Sequence, residues 1–513
     1  NGRFSKDYND ITNMTWSNIL TYQTKIKKKH NLDLLVGYEI NSKESDGLGT
    51  TISNFARWDK PEVNNGVVYQ SMGGSNSTTR IVSYITRANY DYDNKYYLGA
   101  SWRTDGSSRL ARENRWGNFW SLSGAWRVSS ESFMKPLQNW LSDLKLRVSY
   151  GVNGTLPSSY YGYMGLSSLT SNYNDNPGIT QSQLENKELT WETNYNFNSG
   201  IDLGFFDNRL NVTFEYYVRT TKNLLYSRPL SLATGFSSYL ANIGKLQNKG
   251  YELEIRSTNI ETKDFRWSTS LNLGHNSNKI LKLDGDLKQV TSGTSIHKVG
   301  LPYSTYYMIE FAGIDPADGE PMFYKNTTDE NGNLNKETTK DPRSAEKVIL
   351  QCADPTITGG LGNSISYKWF DLNFNVNFSF GAWNYDGSAS KLEHGGDGTL
   401  NIPIYYRKRW QKEGDETSIE RFVVGRSISM TDYATTRRLY SGDYVRLKNL
   451  TFGFTLPKTW TRKVGIDNIR LYASGNNLLT WAAYDYIDPE SGSSPSWDTP
   501  PMRTYTFGLE VKF

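Results

Sequence analysis

Apolar and polar side chains alternate, residue by residue, in segment after segment of this chain. In the last of these segments Tyr505, Phe507, Leu509, Val511 and Phe513 fall on one face, and Thr504, Thr506, Gly508, Glu510 and Lys512 on the other. A period of two belongs to a β-strand with one apolar and one polar face. Taken alone, the stretch fits two structures: the edge strand of a soluble β-domain, or the closing strand of a membrane barrel. An exposed aromatic edge recruits other chains, whereas a barrel pairs its last strand with its first and has no edge.

The rest of the chain separates the two. Met14, Trp16, Leu20, Tyr22 and Ile26 share a face, and Leu32, Leu34, Val36, Tyr38 and Ile40 share the next. The pattern continues through Val82–Tyr92, Tyr96–Trp102, Trp120–Val128, Leu144–Tyr150, Trp191–Leu203, Leu210–Val218, Tyr251–Ile255, Phe265–Leu273, Leu361–Tyr367, Phe370–Phe380, Leu450–Phe454 and Ile469–Ala473. This makes about 15 strands of roughly 10 residues, near the length that crosses a bilayer when tilted, where a soluble sandwich uses about 5–6. Their polar faces carry Asn, Asp, Glu, Arg and Thr, which suits a wet lumen better than a dry core. Turns near 28–31, 93–95, 204–209, 259–264 and 368–369 are short. The connections near 42–78, 152–189, 222–242, 277–356, 381–442 and 479–500 are long and together take about half the chain. Loops of that length argue against a compact soluble domain. Their alternation with short turns predicts an all-β, transmembrane antiparallel β-barrel with short periplasmic turns and long extracellular loops. Between two strands, residues 131–141 read as a short amphipathic helix.

Composition excludes other classes. A net charge of +4 does not imply a nucleic-acid partner. No uncharged apolar run is long enough to cross a bilayer as a helix. The single cysteine, Cys352, rules out an intramolecular disulfide framework. The chain opens on polar residues without an initiator Met or a secretory signal. An exported barrel that starts so is expected to be a processed or partial product. Antiparallel strands close only in even numbers, so an odd count places the first strands before Asn1.

Several stretches resemble the C-terminal region of SusC/RagA-type TonB-dependent transporters, outer-membrane importers of the Bacteroidota. They are residues 83–92 (SYITRANYDY), 103–110 (RTDGSSRL), 114–117 (NRWG), 144–151 (LKLRVSYG), 189–192 (LTWE), 248–252 (NKGYE), 444–450 (YVRLKNL), 474–480 (SGNNLLT) and 488–490 (DPE). The resemblance implies that residues 1–513 are the C-terminal part of a barrel of about 22 strands, with the plug, the TonB box and the first strands outside this chain. It implies import of oligosaccharides or oligopeptides across the outer membrane, energy supplied through TonB, a SusD-like surface lipoprotein as lid, and no cofactor. It also implies that the final aromatic, Phe513, belongs to the strand read by the insertion machinery.

Residues able to carry chemistry are few. His30, His275, His297 and His394 are far apart and lack metal-ligand spacing. Asp315–Glu320 and Asp329–Asn333 are rich in Asp and Gly, but neither has the EF-hand spacing and turn chemistry explains both; no metal site is expected. Aromatic residues in the long loops are the better signal: Trp383, Tyr385, Tyr405, Tyr406, Trp410, Trp481, Tyr484, Tyr486 and Trp497. Flat aromatic faces stack on sugar rings or peptide side chains and anchor protein interfaces, so these residues are the candidate substrate or lid contacts. Two alternatives stand beside nutrient import. One is a siderophore or haem receptor. The other is a barrel adhesin or enzyme, and an enzyme would need a nucleophile–base pair that the sequence does not offer.

Overall fold

The computed structural model describes the chain except for residues 1, 56, 58, 175, 284, 286, 330–331, 397–400, 426–431, 485 and 492–500. The alternating segments are strands, and fifteen of them follow one another in one sheet in chain order. We label them β1 (Arg3–Ile26), β2 (His30–Phe55), β3 (Gly66–Tyr92), β4 (Tyr96–Ser107), β5 (Trp116–Arg127), β6 (Leu141–Thr155), β7 (Glu192–Phe205), β8 (Leu210–Lys222), β9 (Lys245–Glu261), β10 (Phe265–Lys282), β11 (Ile357–Tyr367), β12 (Phe370–Phe380), β13 (Tyr444–Thr455), β14 (Asn468–Ala482) and β15 (Thr504–Lys512). Among the described residues no helix is long and apolar enough to cross a membrane. The chain divides into two compact units, one holding β1–β5 and most of β6, the other β10–β15.

In the first unit the antiparallel register stacks aromatic residues into two rows on the apolar face. Near the short turns His30, Tyr92, Tyr96 and Trp126 succeed one another with ring centroids 5.0, 6.3 and 6.3 Å apart. Their polar edges meet a carboxylate: Tyr96 and Trp126 both donate to Glu131. The second row is Trp16, Tyr38, Tyr84 and Trp116, at 6.3, 5.1 and 6.2 Å. It crosses β4 at Gly106, where a β-carbon would sit 2.9 Å from the Trp116 ring; only glycine lets that indole lie flat on the strand. Between the rows the same face carries exposed aliphatics such as Val36, Leu98 and Leu122. On β2 the rows are eight residues apart, about 27 Å along a strand at about 3.4 Å per residue. Tilted by about 40°, that is an apolar band about 21 Å tall, close to the band of an outer-membrane barrel.

The second unit repeats the division of faces. Leu372, Phe374, Val376 and Phe378 of β12 pair with Phe452, Leu450, Leu447 and Val445 of β13, while Asn373 and Asn375 pair with Thr451 and Asn449. The polar face is laced by hydrogen bonds: Asn449 donates to Ser474 and Asn476, Asn476 donates to Thr504, and Arg470 donates to Asp371 at 2.7 Å. Asn373, Asn375, Ser268, Ser270, Ser364, Arg209 and Arg256 line an open cavity of about 340 Å³ on that face.

Three expectations are corrected. Most of residues 42–78 is strand and not loop: β2 runs on to Phe55 and β3 begins at Gly66, with β1 paired beside β2 from Arg3 onward. Residues 131–141 form no amphipathic α-helix; Ser132–Leu137 is 3-10 helix with Pro136 inside it, and proline has no amide hydrogen for an α-helical bond. The other long connections hold structure of their own. Leu166–Tyr173 pairs with Asn176–Gln183, and Leu225–Pro229 with Ser238–Asn242. Between β10 and β11 lie a four-stranded and a three-stranded sheet.

Candidate functional site

The connection from β12 to β13 leaves the sheet as a short strand, Trp383–Tyr385, and returns as Leu439–Ser441, paired antiparallel to it. Trp383 and Tyr385 pack with Tyr306, Met308 and Leu439 into a small apolar core, and the Tyr306 hydroxyl accepts from the Tyr385 backbone N–H. Asp386 then caps the helix Gly387–Leu392, accepting from the N–H groups of Ser388 and Ala389. An N-cap carboxylate satisfies helix donors that otherwise have no partner. Hairpin and cap together fix where Asp386, Glu393 and Tyr440 sit.

Inside the loop lie two carboxylates and two guanidinium groups. Glu420 is 0 % exposed and Arg438 1 %. Arg438 donates to Glu393 through Nε at 3.3 Å, and Arg437 is paired with Glu420. Equal numbers of opposite charges, each hydrogen-bonded, make such burial tolerable. Two tyrosines complete the cluster: the Tyr405 hydroxyl donates to Glu393 at 2.5 Å, and that of Tyr406 to Glu420 at 3.0 Å. Burial raises the pKa of both phenols above the usual tyrosine value, and the neighbouring carboxylates add to the rise.

From these tyrosines a series of rings runs outward. Tyr405 lies 5.8 Å from Tyr406 and 5.6 Å from Tyr486; Tyr486 lies 5.3 Å from Tyr484, and Tyr484 stacks on Tyr440 at 3.8 Å with planes 10° apart. Tyr484 also donates to Asp386 at 3.0 Å, and burial is the main cause that raises its pKa. Tyr486 is the ring most open to solvent, 69 % exposed. Five rings from three stretches of chain thus form one aromatic ledge on a charged, fully bonded base. The hydroxyls of Tyr405, Tyr406 and Tyr484 are turned to carboxylates, so what the ledge offers a ligand is the exposed ring of Tyr486 and the half-buried rings beside it.

The other aromatic candidates lie elsewhere. Trp410 donates to the Pro316 carbonyl at 2.9 Å, and its ring lies over Gly319, whose φ of +72° suits a residue without a β-carbon. Trp481 is opposite Val445 on the apolar face of β14. Trp497 lies outside the described residues. Phe513 follows β15 with its ring exposed. Asp315 and Asp318 both bind Lys340, at 2.6 and 2.8 Å, so the first Asp/Gly-rich turn holds its own cation. Among the described residues no group of three or more His, Cys, Asp or Glu is placed to hold a metal.

Sequence reasoning missed Tyr440, Asp386, Glu393, Glu420, Arg437 and Arg438 as parts of this site. The adjacent arginines just before a returning strand were the available signal. A second missed cluster joins two of the quoted motifs. Arg446 of Y-V-R-L-K binds Asp488 and Glu490 of D-P-E, each at 2.7 Å.

The family of TonB dependent receptor-like β-barrels matches residues 1–478. The chain belongs to this family. It is 33 % identical to TonB-dependent receptor P3 of Formosa agariphila, across 100 % of this chain and 53 % of that protein. It is 30 % identical to TonB-dependent receptor SusC of Bacteroides thetaiotaomicron, across 84 % of this chain and 44 % of that protein. The structure of the RagAB peptide transporter superposes with a TM-score of 0.87 and 28 % identity, covering 100 % of this chain and 56 % of that chain. The chain spans about half the length of the curated relatives it matches. These likenesses make it a SusC/RagA-type receptor barrel of the Bacteroidota outer membrane. In such a receptor the two aromatic rows mark the two membrane interfaces.

Proposed function

We propose that this chain supplies wall and outer loops to a TonB-dependent importer of oligosaccharides or oligopeptides that works with a SusD-like lipoprotein lid. The observation that carries this reading is the ledge Tyr440–Tyr484–Tyr486–Tyr405–Tyr406. Its outermost ring is exposed while its base is a buried Glu/Arg cluster, so the rings are held in place before any ligand arrives. A surface ordered in advance loses less conformational entropy on binding. Tyr405, Tyr484 and Tyr486 are the contacts in this reading. Trp383, Tyr385, Tyr406 and Trp410 support the loops, and Trp481 belongs to the membrane edge. The relatives named SusC and the RagAB peptide transporter support import as the class of function and leave sugar and peptide both open.

The test uses the intact receptor in detergent with two probes, a malto-oligosaccharide mixture and a tryptic peptide digest, read by native mass spectrometry. One probe is expected to bind, with Tyr486→Ala and Tyr405→Ala each weakening it by about tenfold or more. Binding of a ferric siderophore or haem, with both probes ignored, would overturn the reading in favour of an iron receptor.

A further inference from the structure

We propose that Arg446 is a positioning residue: it locks the segment carrying Tyr484 and Tyr486 to the strand wall and so sets where the aromatic ledge stands. The inference rests on the ledge as the substrate contact. Arg446 lies on the polar face of β13, opposite Thr480 of β14, and is 2 % exposed. Each of its guanidinium nitrogens has its own acceptor: Nε donates to Thr480 Oγ1 at 3.0 Å, one terminal nitrogen to Glu490 Oε2 at 2.7 Å and the other to Asp488 Oδ2 at 2.7 Å. A planar guanidinium holds its acceptors in one fixed fork, whereas an ammonium is a compact charge on a flexible stem without that geometry.

The gripped segment is shaped for the purpose. Asp488 Oδ1 accepts from the Glu490 N–H and the Asp488 carbonyl from the Ser491 hydroxyl. This folds Asp488-Pro489-Glu490 into a tight turn with both carboxylates toward the wall. Lys448 adds a second tether, to Glu490 at 2.6 Å. Lys448 is the extra residue where the register of β13 against β12 shifts between Asn375 and Val376, and such bulges re-aim side chains beside functional sites. Two and four residues upstream of Asp488 stand Tyr486 and Tyr484. They are thus held between two anchors, the Arg446 grip on one side and the Tyr484 bond to Asp386 on the other. Without the grip Tyr486 loses its fixed approach to Tyr405.

Hydrogen exchange and binding on the intact receptor test this. Arg446→Gln is expected to keep the heat-modifiable mobility of a folded barrel while exchange across residues 484–491 speeds by about tenfold or more, an opening that Arg446→Lys restores only in part. With whichever of the two probes binds, Arg446→Gln should weaken binding about as much as Tyr486→Ala. The double variant should lose little more, because one residue acts through the other. Unchanged exchange at 484–491, or losses that add in full, would overturn the proposal. If neither probe binds even the unaltered receptor, the importer reading fails, and the exchange arm still decides whether Arg446 holds the segment.

Discussion

Val376 and Asn375 are neighbours in β12 with opposite surroundings. Val376 pairs with Leu361 and Leu447 on the apolar face; Asn375 pairs with Gly362 and Asn449 on the polar one. Arginine at position 376 must place its charge in hydrocarbon and is expected to destabilise the barrel by about 2–4 kcal/mol, whereas arginine at 375 meets water and should cost far less. Urea unfolding from lipid vesicles measures both; equal costs would mean that the two faces are not lipid and lumen. In the loops, proton affinity is the measurable property. Tyr405, Tyr406, Tyr440 and Tyr484 all have a raised pKa, with burial as the largest cause. A raised phenol pKa means that the folded loop holds its proton after the unfolded loop has released it. The stability this gives is complete below about pH 10, the ordinary tyrosine value, and falls as pH rises toward the folded value. Absorbance at about 295 nm should show these phenols still neutral when exposed tyrosines have ionised, then ionising together as the loop opens. Ionisation together with the exposed tyrosines at about pH 10 would show that the ledge is not packed as described.

At the scale of elements, the strands were legible wherever one face meets lipid, because an apolar band writes a period of two into the sequence. Past the second aromatic row that pressure ends. β1, β2 and β3 continue without a regular apolar face, apolar residues such as Tyr8, Ile11, Leu48 and Met72 standing among polar ones, and polar side chains bond across the strands as Asn41 to Asn13, Ser45 to Asn9 and Asn76 to Asp46. Ladder hydrogen bonds need no apolar partner, so residues 42–55 and 66–78 read as loop while folding as strand. The aromatic ledge was half legible. Its tyrosines announced themselves as loop aromatics, but their base forms only when Trp383–Tyr385 meets Leu439–Ser441, and three-residue strands are too short to show a period. The terminal strand was fully legible, and its register against β14 runs from Asn468↔Lys512 to Asn476↔Thr504. Deleting residues 503–513 leaves the β14 edge unpaired in lipid, where each orphaned backbone group costs several kcal/mol. Heat-modifiable mobility should vanish, and replacing Phe513 alone by Ala should slow insertion. A truncated protein that inserts and migrates normally would refute the role given to this strand and its final aromatic.

At the scale of the molecule the question is what the outer loops cover. Connections this long, carrying small sheets of their own, do more than join strands, and an aromatic ledge open to solvent marks an interface or a ligand surface. In the proposed importer both roles meet: a lipoprotein closes over the loops, and substrate shifts it toward the closed state by binding that state more tightly. The β12–β13 connection can be removed without disturbing the wall, since the Asp386 N–H already donates to the Arg438 carbonyl at 2.9 Å. A short Gly-Ser bridge from Asp386 to Arg438 in place of residues 387–437 keeps the flanking strand pair and takes away Tyr405 and Tyr406. The shortened receptor should still show heat-modifiable mobility. Mild detergent extraction of the unaltered receptor should bring down a lipoprotein in near-equal amount, and extraction of the shortened one should bring down far less. Equal recovery from both would place the lid contact on other loops. Recovery of the unaltered receptor alone from native membranes, at low salt as well as high, would remove the lid from the mechanism and leave the aromatic ledge to act without one.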